Sequence, residues 1–168
     1  MLSLTVENQK KFNFRVAGVI IHEDHICLHR GLKDEFWSLP GGRVEWNEDT
    51  RDAIIREMKE ELTIEVEIQR LLWVVEDFFK VNDELLHELG FYYLLDPSKS
   101  IFKIEETFDK KSFVSLDERG VAFLYQWFPL EDLEKTDLYP YFLRESLNQL
   151  PTRIQQKIAY SDHAYHTY

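Results

Sequence analysis

Arg56 followed by Glu57, Glu60 and Glu61 is the stretch whose residue types and spacing best suit chemistry. If the run from Asp49 to Ile64 is helical, successive residues advance by about 100° around its axis. Glu57 and Glu61 are then i,i+4 neighbours with Glu60 between them in azimuth, so three carboxylates share one face. Ile54, Ile55, Met58 and Leu62 gather on the opposite side, which suits packing against a sheet. Like charges at this spacing cost an isolated helix roughly 0.2–0.5 kcal/mol. A hard cation such as Mg²⁺, which prefers oxygen ligands and is often shared with substrate phosphates, offsets that cost most directly. The bland alternative is a solvated acidic face. Just upstream, Gly41 and Gly42 let the backbone turn sharply and bring a carbonyl close to the acidic face.

Gly42, five residues, Glu48, seven residues, then Arg56-Glu57-Met58-Lys59-Glu60-Glu61-Leu62-Thr63-Ile64 resembles the Nudix box, G-x5-E-x7-R-E-U-x-E-E-x-G-U with U apolar. The preceding Phe36-Trp37-Ser38-Leu39-Pro40-Gly41 is similar to the family's approach to the box. Thr63 stands where the family has its second glycine. A β-branched residue is costly at positive φ, so the helix is expected to end differently here. The resemblance implies an α/β/α sandwich with a mixed β-sheet. It also implies hydrolysis of a nucleoside diphosphate linked to another moiety, with Mg²⁺ or Mn²⁺ as cofactor. By position, Glu57 and Glu61 become the principal metal ligands and Glu60 a third ligand or a water-bridged one. The Gly42 region adds a carbonyl, and Arg56, held by Glu48, orients the acids. The base is left open among Glu57, Glu76, Glu88 and Glu118, the last three also being possible extra ligands.

The elements that must position these groups follow from periodicity. Phe12 to Ile21 reads as a strand, His22 to His25 as a polar turn and Ile26 to Arg30 as a second short strand. Asp49 is a plausible N-cap for the box helix. From Glu65 the period becomes two, with Val66, Ile68 and Arg70 opposing Glu67, Gln69 and Leu71. A break at residues 81–84 makes the run to Leu95 a long hairpin. Residues 96–120 are weakly periodic, with one more strand expected near Lys111 to Leu116. Val121 to Phe128 is a strand, Leu130 to Leu133 a turn of helix, and Tyr141 to Leu150 a closing helix. Pro151 to Tyr168 is expected to be a short helix and loose tail. Strands on both sides of a helix, closed by another helix, describe a sheet sandwiched between helices. One domain over 1–168 is expected, with the box at 42–64 and the tail at 151–168.

Several single residues have two readings. Arg30 is either a solvated strand end or a phosphate contact, arginine being the usual fork for phosphate oxygens. Glu76 and Glu88 sit inside apolar runs, where a carboxylate needs a partner or a metal, so at least one is expected to face the active site. Trp37, Tyr92, Trp127 and Tyr139 are core residues or platforms for a base. His22, His25, His29 and His87 lack the spacing of a zinc site. Cys27, the single cysteine, lies in an apolar run and reads as a buried structural thiol.

The chain has 168 residues and a formal charge of −11, with 31 acidic residues against 20 basic. That balance repels a phosphate backbone and argues against nucleic-acid polymers as partners. No apolar run approaches membrane length, and Met1 to Lys11 lacks a signal-peptide core, so a cytoplasmic protein without membrane partners is expected. The substrate expected from the resemblance is a small nucleotide: a nucleotide sugar, a dinucleotide such as ADP-ribose, or a nucleoside triphosphate. A homodimer is possible. The rival function is a non-catalytic, nucleotide-binding sensor domain of the same type.

Overall fold

The two long apolar runs after the acidic helix build the larger of two sheets. The computed structural model describes residues 3–6, 10–81, 83–117 and 119–161. Strands β1 (Ser3–Val6), β2 (Lys10–Val19), β5 (Gly41–Arg43), β6 (Glu67–Val81), β7 (Glu84–Asp96) and β10 (Gln155–Tyr160) form it. The order is β1-β2-β7-β6-β10, with β5 antiparallel to the second half of β2. β2 runs parallel to β7 and β10 parallel to β6, while β6 and β7 are an antiparallel hairpin, so the sheet is mixed. The second sheet is antiparallel, with order β3-β4-β9-β8: β3 (Ile21–His22), β4 (His25–Gly31), β9 (Ala122–Pro129) and β8 (Ser112–Leu116).

Helix α1 (Thr50–Leu62) buries Ile54, Met58 and Leu62 against Val16, Tyr93 and Leu95 of the first sheet and Cys27, Tyr125 and Trp127 of the second. It crosses β2 at Gly18, where a Cβ would meet Leu95 Cδ1 at 2.6 Å and Met58 Sδ at 3.3 Å. Ile55 is exposed, so the apolar stripe is narrower than its sequence suggests. The opposite side of the molecule is closed by a 3₁₀ segment, Leu130–Lys135, and helix α3 (Leu143–Ser146). Their Leu133 and Leu143, with Leu138 and Leu147, cover Ala17, Val19, Leu72, Trp73 and Val75. The result is an α/β fold with a mixed sheet between helical layers. Among the described residues no helix is long and apolar enough to cross a membrane.

Four local expectations need correction. The closing helix is four residues long rather than ten. Its flanks are tight turns, in which Leu143 N–H donates to Pro140 O and Arg144 N–H to Tyr141 O. Residues 151–161 hold no helix: β10 pairs with β6 instead, and its outward Ile158 and Tyr160 hide the strand's alternation. Helix α2 (Ile101–Asp109) escaped the sequence reading because it buries only Ile104 and Thr107 fully, too short a stripe to stand out. Finally, β6 does not alternate cleanly. Bulges between Ile68 and Arg70 and between Leu71 and Trp73 put Ile68 and Leu71 in the same cluster, although residues three apart on a regular strand point to opposite faces.

Candidate functional site

Helix α1 is fixed at both ends before it presents any chemistry. Asp49 caps it, its Oδ1 accepting from Arg51 N–H at 2.8 Å and Asp52 N–H at 3.0 Å. At the other end Thr63 takes the left-handed conformation, φ 56° and ψ 37°, that a glycine would adopt. The expected change of ending does not occur. Thr63 N–H reaches Lys59 O at 3.1 Å and Ile64 N–H reaches Met58 O at 3.4 Å, so the turn serves two terminal carbonyls. It also delivers Ile64 and Val66 to the core. That burial offsets a backbone cost on the order of 1 kcal/mol.

The acids surround the arginine. Arg56 Nε donates to Glu48 Oε1 at 2.8 Å and Nη2 to Glu48 Oε2 at 2.9 Å. Nη1 donates to Glu57 Oε1 at 2.9 Å and Glu60 Oε2 at 3.0 Å, and Nη2 also reaches Arg43 O at 3.1 Å. This bonding holds Glu48 below the usual carboxylate range. Glu61 is different: 5% exposed, it accepts from Gly41 N–H at 3.1 Å, and burial together with the neighbouring Glu57 pushes its carboxyl up to about 8. Burial also raises Glu57, against the pull of Arg56. The Glu61 backbone carbonyl accepts from Ser115 Oγ on β8 at 2.6 Å.

Glu57, Glu60 and Glu61 face an open cleft of about 480 Å³ between the two sheets. Gly42 presses on them so closely that a Cβ there would overlap the Glu57 carboxylate. Gly41, at φ 144°, lies so close to β2 that a Cβ would overlap Val16 O. The turn therefore needs glycine at both positions. Among the described residues no three Asp, Glu, His or Cys side chains converge on one point. Arg56 holds Glu57 and Glu60 to its own side, while Glu61 turns to Gly41.

The remaining candidates separate. Glu88 lines the cleft. Glu76 points to the outer face of the sheet, where it meets Gln156 Nε2 at 3.1 Å and His87 Nε2 at 3.6 Å. Strand alternation sends Asp77, its neighbour, into the cleft instead. Glu118 lies outside the described residues. Arg30 lines the cleft wall half-buried, donating to Asp34 O at 2.8 Å with its guanidinium 5.0 Å over the Trp37 ring. Tyr92 and Tyr139 line the cleft, whereas Trp127 belongs to the core and Trp37 packs edge-on against Phe128. The four histidines do not gather at one point: His22 and His25 stand opposite each other on β3 and β4 and flank Phe108, while His87 stacks on Phe78.

Sequence reasoning missed several cleft residues. Arg15 is half-buried beside Glu88, Glu61 and Glu57, whose charges outweigh the desolvation and raise its pKa, and its Nη2 donates to Leu39 O at 3.0 Å. His29 is buried against Phe123, and burial with the nearby Arg15 lowers it to about 3. Its 4.0 Å approach to Glu61 is thus a contact of a neutral ring, not an ion pair. Lys11, Asn13 and Arg15 recur every second residue on β2, a polar stripe inside an apolar strand that could have marked them.

The NUDIX domain family model matches residues 12–150. YjhB of Bacillus subtilis strain 168, provisionally named an ADP-ribose pyrophosphatase, is 39% identical over 61 residues, 36% of this chain and 29% of its own length. The 8-oxo-dGTP diphosphatase of Proteus vulgaris is 39% identical over 77 residues, 42% of this chain and 68% of its own. The chain thus spans under a third of the first relative's length. Among solved structures, the MutT NUDIX hydrolase of Burkholderia pseudomallei superposes with a TM-score of 0.54 at 24% identity, covering 83% of this chain and 98% of that one. With the family model spanning most of its length, the chain belongs to the Nudix hydrolase family.

Proposed function

We propose that the protein is a metal-dependent hydrolase that cleaves the diphosphate linkage of a nucleoside diphosphate derivative. The observation that carries this reading is the arrangement of Glu57, Glu60 and Glu61 on one helix face, fastened by Arg56 and Glu48 and pressed against the Gly41–Gly42 turn at the cleft. Two half-buried or buried carboxyls with raised affinity for protons suit a hard divalent cation, Mg²⁺ or Mn²⁺. Glu57 and Glu61 would hold it with the Gly42 carbonyl, and Glu60 would join directly or through water. The cation would neutralise phosphate charge and acidify water.

The chain's own residues supply the rest. Arg56 keeps Glu57 and Glu60 oriented through two bonds from one nitrogen while Glu48 fixes its plane. Arg15 and Arg30 on the cleft walls offer positive charge to phosphate oxygens. For the base, which the sequence left among Glu57, Glu76, Glu88 and Glu118, we favour a further acid of the box. Glu60 is exposed at the cleft and, among the described residues, its bond to Arg56 uses Oε2 and leaves Oε1 for the attacking water. Glu88 is displaced from the trio along β2, with the Arg15 row between it and the Gly42 row. The names of the relatives favour ADP-ribose-like dinucleotides and nucleoside triphosphates, with nucleotide sugars the third class. Phosphate and nucleotide release from such a panel, with Mg²⁺ and with excess chelator, tests the reading. Turnover with Mg²⁺ alone is expected; full turnover in chelator would overturn it.

A further inference from the structure

The floor of the cleft carries a polar row that the hydrolase chemistry does not use. Asn13 on β2 stands directly opposite Glu88 on β7, and Glu88 directly opposite Asp77 on β6. All three side chains line the cleft. Ser161, just beyond β10, extends the row by donating Oγ–H to the Asp77 carboxyl, 2.9 and 3.0 Å from its two oxygens. Two acids directly opposite on neighbouring strands are unfavourable by themselves. Asn13 is 3% exposed; its amide N–H holds Glu88, while its Oδ1 is buried without a partner among the described residues. A buried carbonyl left unpaired costs about 1–3 kcal/mol. The row thus presents carboxyl oxygens and an unpaired amide oxygen towards one volume. It calls for a ligand rich in N–H donors.

Its neighbours narrow the ligand. On one side lie Leu86 and Phe79, an apolar strip suited to the face of a flat ring. On the other, Asn13 is three residues along β2 from Val16, the partner of Gly42, a distance of roughly 10 Å. That is the reach of a base from the diphosphate that carries it. We propose that Asn13, Glu88 and Asp77 form the specificity-determining row that reads the donor edge of the substrate's nucleobase. Guanine, whose ring N–H and amino group are adjacent donors, is favoured over uracil, whose ring N–H lies between two carbonyl oxygens that would face the carboxyls. This inference rests on the hydrolase reading of the same cleft.

The test measures binding apart from turnover. Calorimetry with guanosine and uridine 5′-monophosphates, which lack the diphosphate linkage, should show at least tenfold tighter binding of the guanine nucleotide to the intact protein. Asp77→Asn and Glu88→Gln, isosteric changes on different strands, should each bring the guanine-to-uracil ratio towards one. For guanosine diphosphate derivatives the loss should fall on KM. Equal affinity for the two monophosphates, or an equal loss for both in the variants, overturns the proposal. So does a Glu88→Gln variant whose kcat collapses for every base, since Glu88 would then be the base of the reaction. Mg²⁺-dependent turnover without base preference leaves the hydrolase reading standing and sinks this one. Selective guanine binding without turnover does the reverse.

Discussion

Arg56 meets Glu48 edge to edge, Nε to Oε1 at 2.8 Å and Nη2 to Oε2 at 2.9 Å, so the guanidinium plane is set by a residue outside the helix. Glu48 is in turn held by Glu45 N–H at 2.9 Å. The pair fixes in space the nitrogen that orients Glu57 and Glu60. Lysine at this position keeps the charge and loses the fork. Arg56→Lys should therefore lose at least tenfold in kcat/KM while retaining its far-UV circular dichroism. Wild-type kinetics in this variant would remove Arg56 from the mechanism.

Charge can be separated from ligation by removing it at four places. Glu57→Gln and Glu61→Gln should each lower activity by orders of magnitude. Glu65 and Glu67 lie beyond α1, and Glu67 meets the exposed Lys99 at 2.8 Å. Their glutamine variants should stay within about twofold, as expected of exposed pairs. Equal losses across all four would reduce the acids to a diffuse field. Calorimetric melting adds a second readout. Metal-free Glu61→Gln should melt no earlier than wild type, because a glutamine oxygen can still accept from Gly41 N–H.

Asp77 makes stability depend on pH. Burial, partly opposed by the Ser161 hydroxyl, raises its carboxyl to about 6 from 3.8. The unfolded chain therefore ionises there first, and the folded protein loses stability as pH rises from about 4 to 6. The displacement corresponds to on the order of 3 kcal/mol. Asp77→Asn keeps an acceptor for Ser161 and cannot ionise. Urea titrations should show this variant more stable than wild type above pH 6, with a flatter profile between pH 4 and 6. Parallel profiles would contradict the assignment.

Thr63 offers a direct measure of backbone strain. Its side chain is exposed and its φ is positive, so glycine relieves the backbone but gives the unfolded chain more freedom. Thr63→Gly should raise stability by up to about 1 kcal/mol and leave kcat unchanged, read by thermal melting and the same hydrolysis assay. A destabilised variant would mean that the freedom given to the unfolded chain, or a hold of the threonine side chain on the turn, outweighs the relieved strain.

The box helix was legible because its cap, apolar stripe and acids obey one period, and the β6–β7 hairpin because its breaker sits between two long apolar runs. Asp77 was not legible. Its face depends on strand register, and two bulges in β6 break the alternation that a reader of the sequence would extrapolate. His29 was hidden differently, as a polar residue in an apolar strand, and Arg15 as one member of the alternating stripe on β2; the role of each comes from what the rest of the fold brings near it. Thr63 was misjudged because local propensity was weighed without the burial of Ile64 that opposes it.

Glu61 is fastened to both sheets at once: its side chain to Gly41 of β5, its backbone carbonyl to Ser115 of β8. It works as a pin through two plates. Sliding one sheet past the other would strain both bonds, and drawing the acid towards the proposed cation would load the same seam. Under the proposed metal chemistry, cation binding at Glu61 would thereby be coupled to the seam between the sheets.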